Sequence, residues 1–213
     1  MINKNLQLCL VTHIPDTSIE VYQQFILDAI AGGVTLIQLR EKKASLTDIY
    51  AFAIALKALI TPFSIPLIIN DHVAIAKAVD ATGVHLGQTD INPLEARAIL
   101  GPDKWIGLSV ETLEDLAVSN QLTCIDYIGA SAVFPSHTKP DCKTIWGIEG
   151  LKHISTHSTH PVVAIGGISQ QNIQQTMACG VSGVAVIGAI YDQPNARIAA
   201  MELTREIQRK PHV

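Results

Sequence analysis

VVAIGGISQQNIQQTMACGVSGVAVIGAI, residues 162–190, is the stretch whose reading decides the fold. Two aliphatic runs, 162–165 and 183–186, flank a segment of helical character from about 170 to 179. Gly166-Gly167 follow the first run and Ile187-Gly188 the second. Continuous Val/Ile/Ala runs without polar alternation are typical of parallel strands buried on both faces. The same unit recurs toward the N-terminus. Strand-like runs fall at 6–12, 34–39, 66–69, 83–86, 105–109 and 126–130. Helical segments fall at 18–31, 46–60, a stretch ending near 79, 93–100, 111–120 and 148–157, and 194–208 closes the chain. Gly32-Gly33 stops the first helix as a C-cap pair, Ser45 or Thr47 can cap the second, and Pro93 suits a first helical turn.

Eight strand–helix units in 213 residues predict an α/β fold, a compact (β/α)8 TIM barrel forming one catalytic domain over residues 1–213. The competing architecture, a doubly wound open sheet, places a glycine-rich phosphate loop after its first strand. Residues 12–18 contain no glycine, whereas a glycine pair follows strand seven. No linker, low-complexity segment or second domain is visible.

Hydrophobic residues make up 48% of the chain and aromatics only 5%, so the core must be aliphatic. Charged residues reach 16%, too few for a disordered chain. The formal charge of −4, with no basic tract, lacks the electrostatic footprint of a nucleic-acid binder. It leaves a small anionic ligand open, because local cations can hide in a near-neutral total. No apolar run approaches the roughly 18 residues of a membrane span, which argues against a membrane partner, and the N-terminus lacks the features of a signal peptide. Cys9, Cys124, Cys142 and Cys179 are scattered without a Cys-x-x-Cys pair. Cys9 and Cys124 sit by apolar strands and read as buried free thiols. These features point to a cytoplasmic protein, and the low charged fraction is compatible with a homo-oligomer.

In a barrel, ligands are met at the C-terminal ends of strands and in the loops that follow. Those positions hold Gln38, Arg40 and Lys42 after strand two, Asn70 and Asp71 after strand three, and Gln88 and Asp90 after strand four. Ser109 ends strand five, and Ser136, His137, Thr138 and Lys139 occupy the long loop after strand six. Cations, amides and hydroxyls suit phosphate oxygens, and two carboxylates beside them suit Mg²⁺. Taken singly, Arg40 and Asp71 read as rim salt-bridge partners and Asp90 as a turn cap; their placement on consecutive loops favours one ligand site. Gly166-Gly167 and Gly188 add a second locus, since phosphate sites in this fold often use the loops after strands seven and eight. Two phosphate loci on one rim imply a pair of phosphorylated small-molecule substrates, one a pyrophosphate with Mg²⁺. His85 lies inside a strand and reads as a packed, hydrogen-bonded histidine. His153, His157 and His160 read as a solvated helix end.

The chain resembles the thiamine-phosphate synthase family through AGGVTLIQLREK (31–42), PLIIND (66–71), GVHLGQTD (83–90), IGLSV (106–110), VFPSHTK (133–139), VVAIGGI (162–168) and GVAVIGAI (183–190). The resemblance implies a barrel enzyme that joins a hydroxymethylpyrimidine diphosphate to a thiazole phosphate, commonly a carboxylated one, giving thiamine phosphate and pyrophosphate. It assigns Gln38, Leu39, Arg40, Glu41, Lys42, Asn70, Ser109 and Lys139 to the pyrimidine diphosphate. Of these, Arg40, Lys42, Lys139 and Ser109 carry the catalytic roles, with the three cations stabilising the leaving pyrophosphate. Asp71 and Asp90 become the Mg²⁺ ligands. Ser136, His137, Thr138, Gly167, Ile187 and Gly188 hold the thiazole phosphate. Departures from the family pattern are His13 for a usual Asp, Gly188 for a common Ser, Ser136 for a frequent Thr, and Ala130-Ser131-Ala132 for a Gly-Pro pattern. Two other readings are a thiazole tautomerase on the same architecture and a non-catalytic sensor of thiamine precursors. The intact Asp71/Asp90 pair favours the synthase.

Overall fold

The computed structural model describes residues 2–136 and 142–209. Eight parallel strands close into a barrel in sequence order. They are β1 (Leu8–Thr12), β2 (Leu36–Leu39), β3 (Leu67–Asn70), β4 (Gly83–Leu86), β5 (Trp105–Val110), β6 (Tyr127–Ser131), β7 (Val162–Ile165) and β8 (Gly183–Val186). Closure is made at β1, where Cys9 is in register with Leu36 on one side and Ala185 on the other.

The helices are α1 (Ile2–Asn5), α2 (Ile19–Ala31), α3 (Leu46–Ile60), α4 (Val73–Ala78), α5 (Pro93–Leu100), α6 (Leu113–Ser119), α7 (Gly147–His157), α8 (Ile173–Met177), α9 (Gly188–Tyr191) and α10 (Ala196–Gln208). Their starts follow local chemistry. Ser18 and Ser45 cap α2 and α3 by accepting from Val21 and Asp48 N–H, and Asn92 caps α5 ahead of Pro93. Thr112 and Asp115 form a capping box on α6. Helix α3 shows how the outer layer is held. Ile49, Ala53, Leu56 and Ile60, spaced one or two turns apart, are buried on one stripe. Truncating Leu56 to Ala there costs about 2–5 kcal/mol.

Two differences from the sequence expectations have physical causes. The apolar run at 6–12 divides, with Leu6 wholly buried beneath the barrel and pairing beginning at Leu8, after the short helix α1. Leu46–Phe63 is, by length and composition, apolar enough to cross a membrane, with mean hydropathy 1.4 over 18 residues. This corrects the expectation that no run approaches that length. Asp48 and Lys57 interrupt the run without lowering its average enough to disqualify it. In the barrel the segment is α3 and the turn after it, with the buried stripe described above.

Strand side chains alternate between the helix-facing and barrel-facing surfaces. Outward residues such as Leu10, Ile37, Ile69 and Val184 join the helices in the main core. Inward residues form a second cluster of Leu6, Cys9, Val11, Leu36, Ile68, Tyr127, Val163 and Ala185. Burial pushes the Cys9 thiol up to about 12, so it stays protonated. Following the inward parity upward, the interior changes character. Gln38, Asn70, His85, Ser109 and Ser131 replace the aliphatics at the C-terminal ends of β2 to β6. The floor is apolar and the mouth polar.

Candidate active site

The polar mouth opens into two adjoining cavities. One, of about 310 Å³, is lined by Gln38, Arg40, Lys42, Asn70, Asp71, His85, Gln88, Asp90 and Ser109, among others. The second, of about 270 Å³, is lined by Ser136, Gly166, Gly167, Ile187, Gly188 and their neighbours. Arg40, Ser131 and Ile165 line both. Arg40 also faces a third hollow beside His13, Glu41 and Lys42.

In the first cavity the acids and cations meet directly. Asp71 follows β3 in a left-handed conformation, φ 64, which costs a non-glycine residue about 1–3 kcal/mol. Its N–H is tied to the His85 carbonyl at 2.8 Å, and its carboxylate receives Lys42 Nζ at 2.5 Å. Asp90 Oδ2 accepts from Gly87 N–H at 2.7 Å, and its carboxyl meets that of Asp71. Burial works to raise both acids. For Asp71, hydrogen bonds from Lys42 and Asp90 and the Lys42 charge win, so its carboxyl lies below the ordinary value. For Asp90, burial and then the facing Asp71 outweigh the Gly87 N–H, so its carboxyl lies above it.

This donor set fits a divalent cation. Two carboxylates in contact repel when both are ionised, and Mg²⁺ is normally held by one or two acids with substrate phosphates supplying the rest. Among the described residues no group of three or more His, Cys, Asp and Glu side chains is placed to hold a metal ion.

The second cavity is shaped by backbone. Gly166 and Gly167 have φ 101 and 61, and the loop after β6 lies against them. A Cβ on Gly166 would stand 2.5 Å from Ala132 Cβ, and one on Gly167 would stand 2.7 Å from the Pro135 carbonyl oxygen. Glycine is required both by conformation and by this close approach. At Gly188 the space a side chain would fill is taken by Asp192, whose Oδ2 lies 2.2 Å from an ideal Cβ. An acid on the lining of this cavity was not foreseen from the sequence.

The remaining expected residues divide. Gln38 and Asn70 are nearly buried and face the first cavity with Ser109. Leu39 is buried in the outer core, its side chain away from the mouth. The Glu41 carboxylate turns back onto its own loop, accepting from Lys42 N–H at 2.7 Å, Lys43 N–H at 2.8 Å and Ile14 N–H at 3.3 Å. His137, Thr138 and Lys139 lie outside the described residues. His85 has the hydrogen bonds expected of a packed histidine, but it also faces the cavity. Lys143 and Glu111 line the same cavity, with Lys143 N–H donating to Glu111 at 3.3 Å. Inward parity along β4 could have flagged His85; nothing local in sequence flags Lys143. His13 stacks obliquely on Tyr191 at 5.0 Å. His153 and His157 stack on each other on the exposed end of α7.

A closed (β/α)8 barrel with these two cavities at its C-terminal rim defines a barrel enzyme whose site suits anionic ligands. The match to known proteins is more specific. The family model described as thiamine monophosphate synthase matches residues 8–190, and the chain belongs to that family. Thiamine-phosphate synthase of Chlamydia abortus is 41% identical over 203 residues, 95% of each chain. The one from Methanobrevibacter smithii is 40% identical over 210 residues, 99% of each chain. The solved structure of thiamine phosphate pyrophosphorylase from Pyrococcus furiosus superposes with TM-score 0.86 at 32% identity, covering 98% of each chain. The family makes the chain a transferase of thiamine synthesis.

Proposed function

We propose that the barrel joins hydroxymethylpyrimidine diphosphate to a thiazole phosphate, in the cytoplasm, with the diphosphate in the Asp71/Asp90 cavity and the thiazole phosphate in the glycine cavity. The observation that carries this reading is the adjacency of the two cavities across Arg40, Ser131 and Ile165. A reaction between two phosphorylated partners needs two anion sites whose reactive ends meet, and two cavities sharing a wall support that reading.

The bond from the pyrimidine methylene to oxygen breaks, and its electron pair leaves on pyrophosphate. The thiazole nitrogen supplies the pair for the new carbon–nitrogen bond; with a carboxylated thiazole, carbon dioxide is also lost. Negative charge therefore grows on the leaving oxygens, where Arg40 and Lys42 stand, and family resemblance adds Lys139. Asp71 and Asp90 would hold Mg²⁺, which when bound neutralises diphosphate charge. Gln38, Asn70 and Ser109 orient the pyrimidine from the floor of the cavity. Backbone N–H groups around Gly167 and Gly188, with Ser136, hold the thiazole phosphate. The electron-rich aminopyrimidine spreads the positive charge left on carbon, so no protein nucleophile is needed.

Purified protein supplied with both substrates and Mg²⁺ should form thiamine phosphate and pyrophosphate in equal amounts, with turnover lost on chelation. Binding of both substrates by calorimetry without product would refute the proposal. Isomerisation of the thiazole with no need for the pyrimidine diphosphate would instead establish a tautomerase.

A further inference from the structure

At the cavity floor, four inward side chains from four strands lie together. Gln38 on β2 faces the Tyr127 phenol on β6. The Tyr127 oxygen lies 3.1 Å from His85 Nδ1 on β4, and His85 Nε2 lies 3.0 Å from Ser109 Oγ on β5. Room for the two rings is made by two glycines on the intervening strand faces. A Cβ on Gly107 would fall 2.2 Å from Tyr127 Cζ and 2.5 Å from His85 Nδ1, and one on Gly129 would fall 3.0 Å from His85 Cε1. The rings, 5.5 Å between centroids, thus occupy space that two strands leave free.

We propose that His85 is a positioning residue for the transfer reaction, holding the Ser109 hydroxyl in one place against the pyrimidine ring, with Tyr127 as its backing. This rests on the placement of the pyrimidine over Ser109 proposed above. Three observations carry it. Ser109 is on the cavity wall, and its Oγ is engaged by His85 from within the barrel. Gln88 Nε2 also secures the Ser109 carbonyl at 2.6 Å, so both main chain and side chain of this serine are fixed. A neutral imidazole has one donor and one acceptor nitrogen, so the bond made at Nδ1 decides the role left to Nε2. Tyr127 is wholly enclosed, and burial raises its phenol well above the ordinary value. Its O–H therefore persists, and the buried ring gives His85 a fixed backing beneath Ser109. An aminopyrimidine offers ring-nitrogen acceptors beside an amine donor, so a hydroxyl held at one point of the wall selects between ring orientations.

The test compares Ser109→Ala, His85→Asn, His85→Gln, Tyr127→Phe and the double variant His85→Asn/Ser109→Ala by steady-state kinetics. Asn keeps a polar atom near Nδ1 but does not reach Ser109, whereas Gln reaches toward the Nε2 position. His85→Asn should lower kcat/KM for the pyrimidine diphosphate about tenfold or more, with KM for the thiazole phosphate changed less than about twofold. The double variant should be no worse than Ser109→Ala within about twofold, and Gln should restore part of the loss. Tyr127→Phe, which keeps the ring, should show a smaller loss of the same kind, again absent on a Ser109→Ala background. If the losses multiply, or both substrates suffer equally, His85 does not act through Ser109 and the proposal is wrong. Should His85→Asn fail to fold, the Tyr127→Phe cycle decides by the same criterion. Wild-type activity in Ser109→Ala would instead overturn the placement of the pyrimidine itself.

Discussion

Gly107→Ala adds one carbon to the layer beneath the site, and its cost can be worked from distances. The new Cβ would lie 2.2 Å from Tyr127 Cζ, 2.5 Å from the Tyr127 oxygen and 2.5 Å from His85 Nδ1. Carbon atoms in contact settle at about 3.5–4.0 Å, so the Tyr127 ring must retreat by roughly 1.3 Å or more. It has nowhere easy to go, being 2% exposed among Cys9, Leu36, Ile68 and Val163. Overpacking of this kind costs about 1–3 kcal/mol. Pulling the phenol off His85 leaves a buried hydroxyl short of a partner, for about 1–3 kcal/mol more. Part is offset, by about 0.4–1 kcal/mol, because alanine has a less flexible unfolded chain. The net expectation is about 1–6 kcal/mol, or roughly 2–24 °C in midpoint for a chain of this size.

Gly129→Ala is the internal control on the next strand. Its Cβ would approach His85 Cε1 to 3.0 Å and Nε2 to 3.4 Å, so the ring need yield only a few tenths of an ångström. That substitution should cost no more than about 1 kcal/mol. Urea and thermal unfolding of both variants, and of Gly107→Ala placed in a Tyr127→Leu background, measure the difference. In that background the clashing atoms are gone and most of the Gly107→Ala penalty should vanish. Equal destabilisation by the two alanines, or an undiminished penalty without the tyrosine ring, would refute the steric account.

Asp71→Ala should abolish Mg²⁺-supported turnover while leaving the circular dichroism spectrum unchanged; normal rates would remove Asp71 from the metal assignment. For Glu41, burial raises the carboxyl, but the N–H groups of Lys43, Lys42, Ile14 and Ala44 together hold it below its ordinary value. Its contribution to stability is therefore complete above the unfolded value of about 4.3 and is lost as pH falls through the lower folded value. The urea-midpoint gap between wild type and Glu41→Gln should be widest near neutrality and close on acidification, and a gap independent of pH would contradict the bracing role. Cys9, with its thiol pushed up to about 12 and 2% exposed, should resist thiol reagents in the folded protein and react once it is unfolded. Labelling at the same rate in both states, followed by mass spectrometry, would contradict its place inside the barrel.

The strands were legible because a parallel barrel buries both faces, leaving continuous aliphatic runs; 83–86, 162–165 and 183–186 coincide with β4, β7 and β8. Helix ends were less so. The segment 170–179 contains a helix only over Ile173–Met177, because Asn172 spends its side chain on a turn. Its Oδ1 accepts from Ser169 N–H at 2.8 Å and its Nδ2 donates to the Gly167 carbonyl at 2.8 Å. Composition alone cannot separate Ser-Gln-Gln-Asn in such a turn from the first turn of a helix. The segment read as 111–120 likewise starts later, at Leu113, because Thr112 and Asp115 form a capping box that sets the start of α6.

For the candidate site, position after a strand end was enough to group Arg40, Lys42, Asn70, Asp71, Asp90 and Ser109 on one cavity, since every parallel strand delivers its next residues to the same rim. What position could not supply was depth and neighbourhood. Whether His85 packs or faces ligand depends on its partners across β5 and β6, and these become neighbours only through the register Gly107↔Tyr127 and His85↔Gly107. Arg40 touches the glycine cavity only because β1 pairs with both β2 and β8, bringing residue 40 to Ile187 across a chain separation of most of the barrel. A cation read as a diphosphate ligand thereby also borders the second cavity. It follows that truncating Arg40 should weaken both substrates, whereas truncating Lys42, which lines the first cavity but not the glycine one, should weaken the diphosphate alone. Two binding titrations on each variant would separate these outcomes, and equal patterns for Arg40 and Lys42 would break the argument that the two sites share a wall.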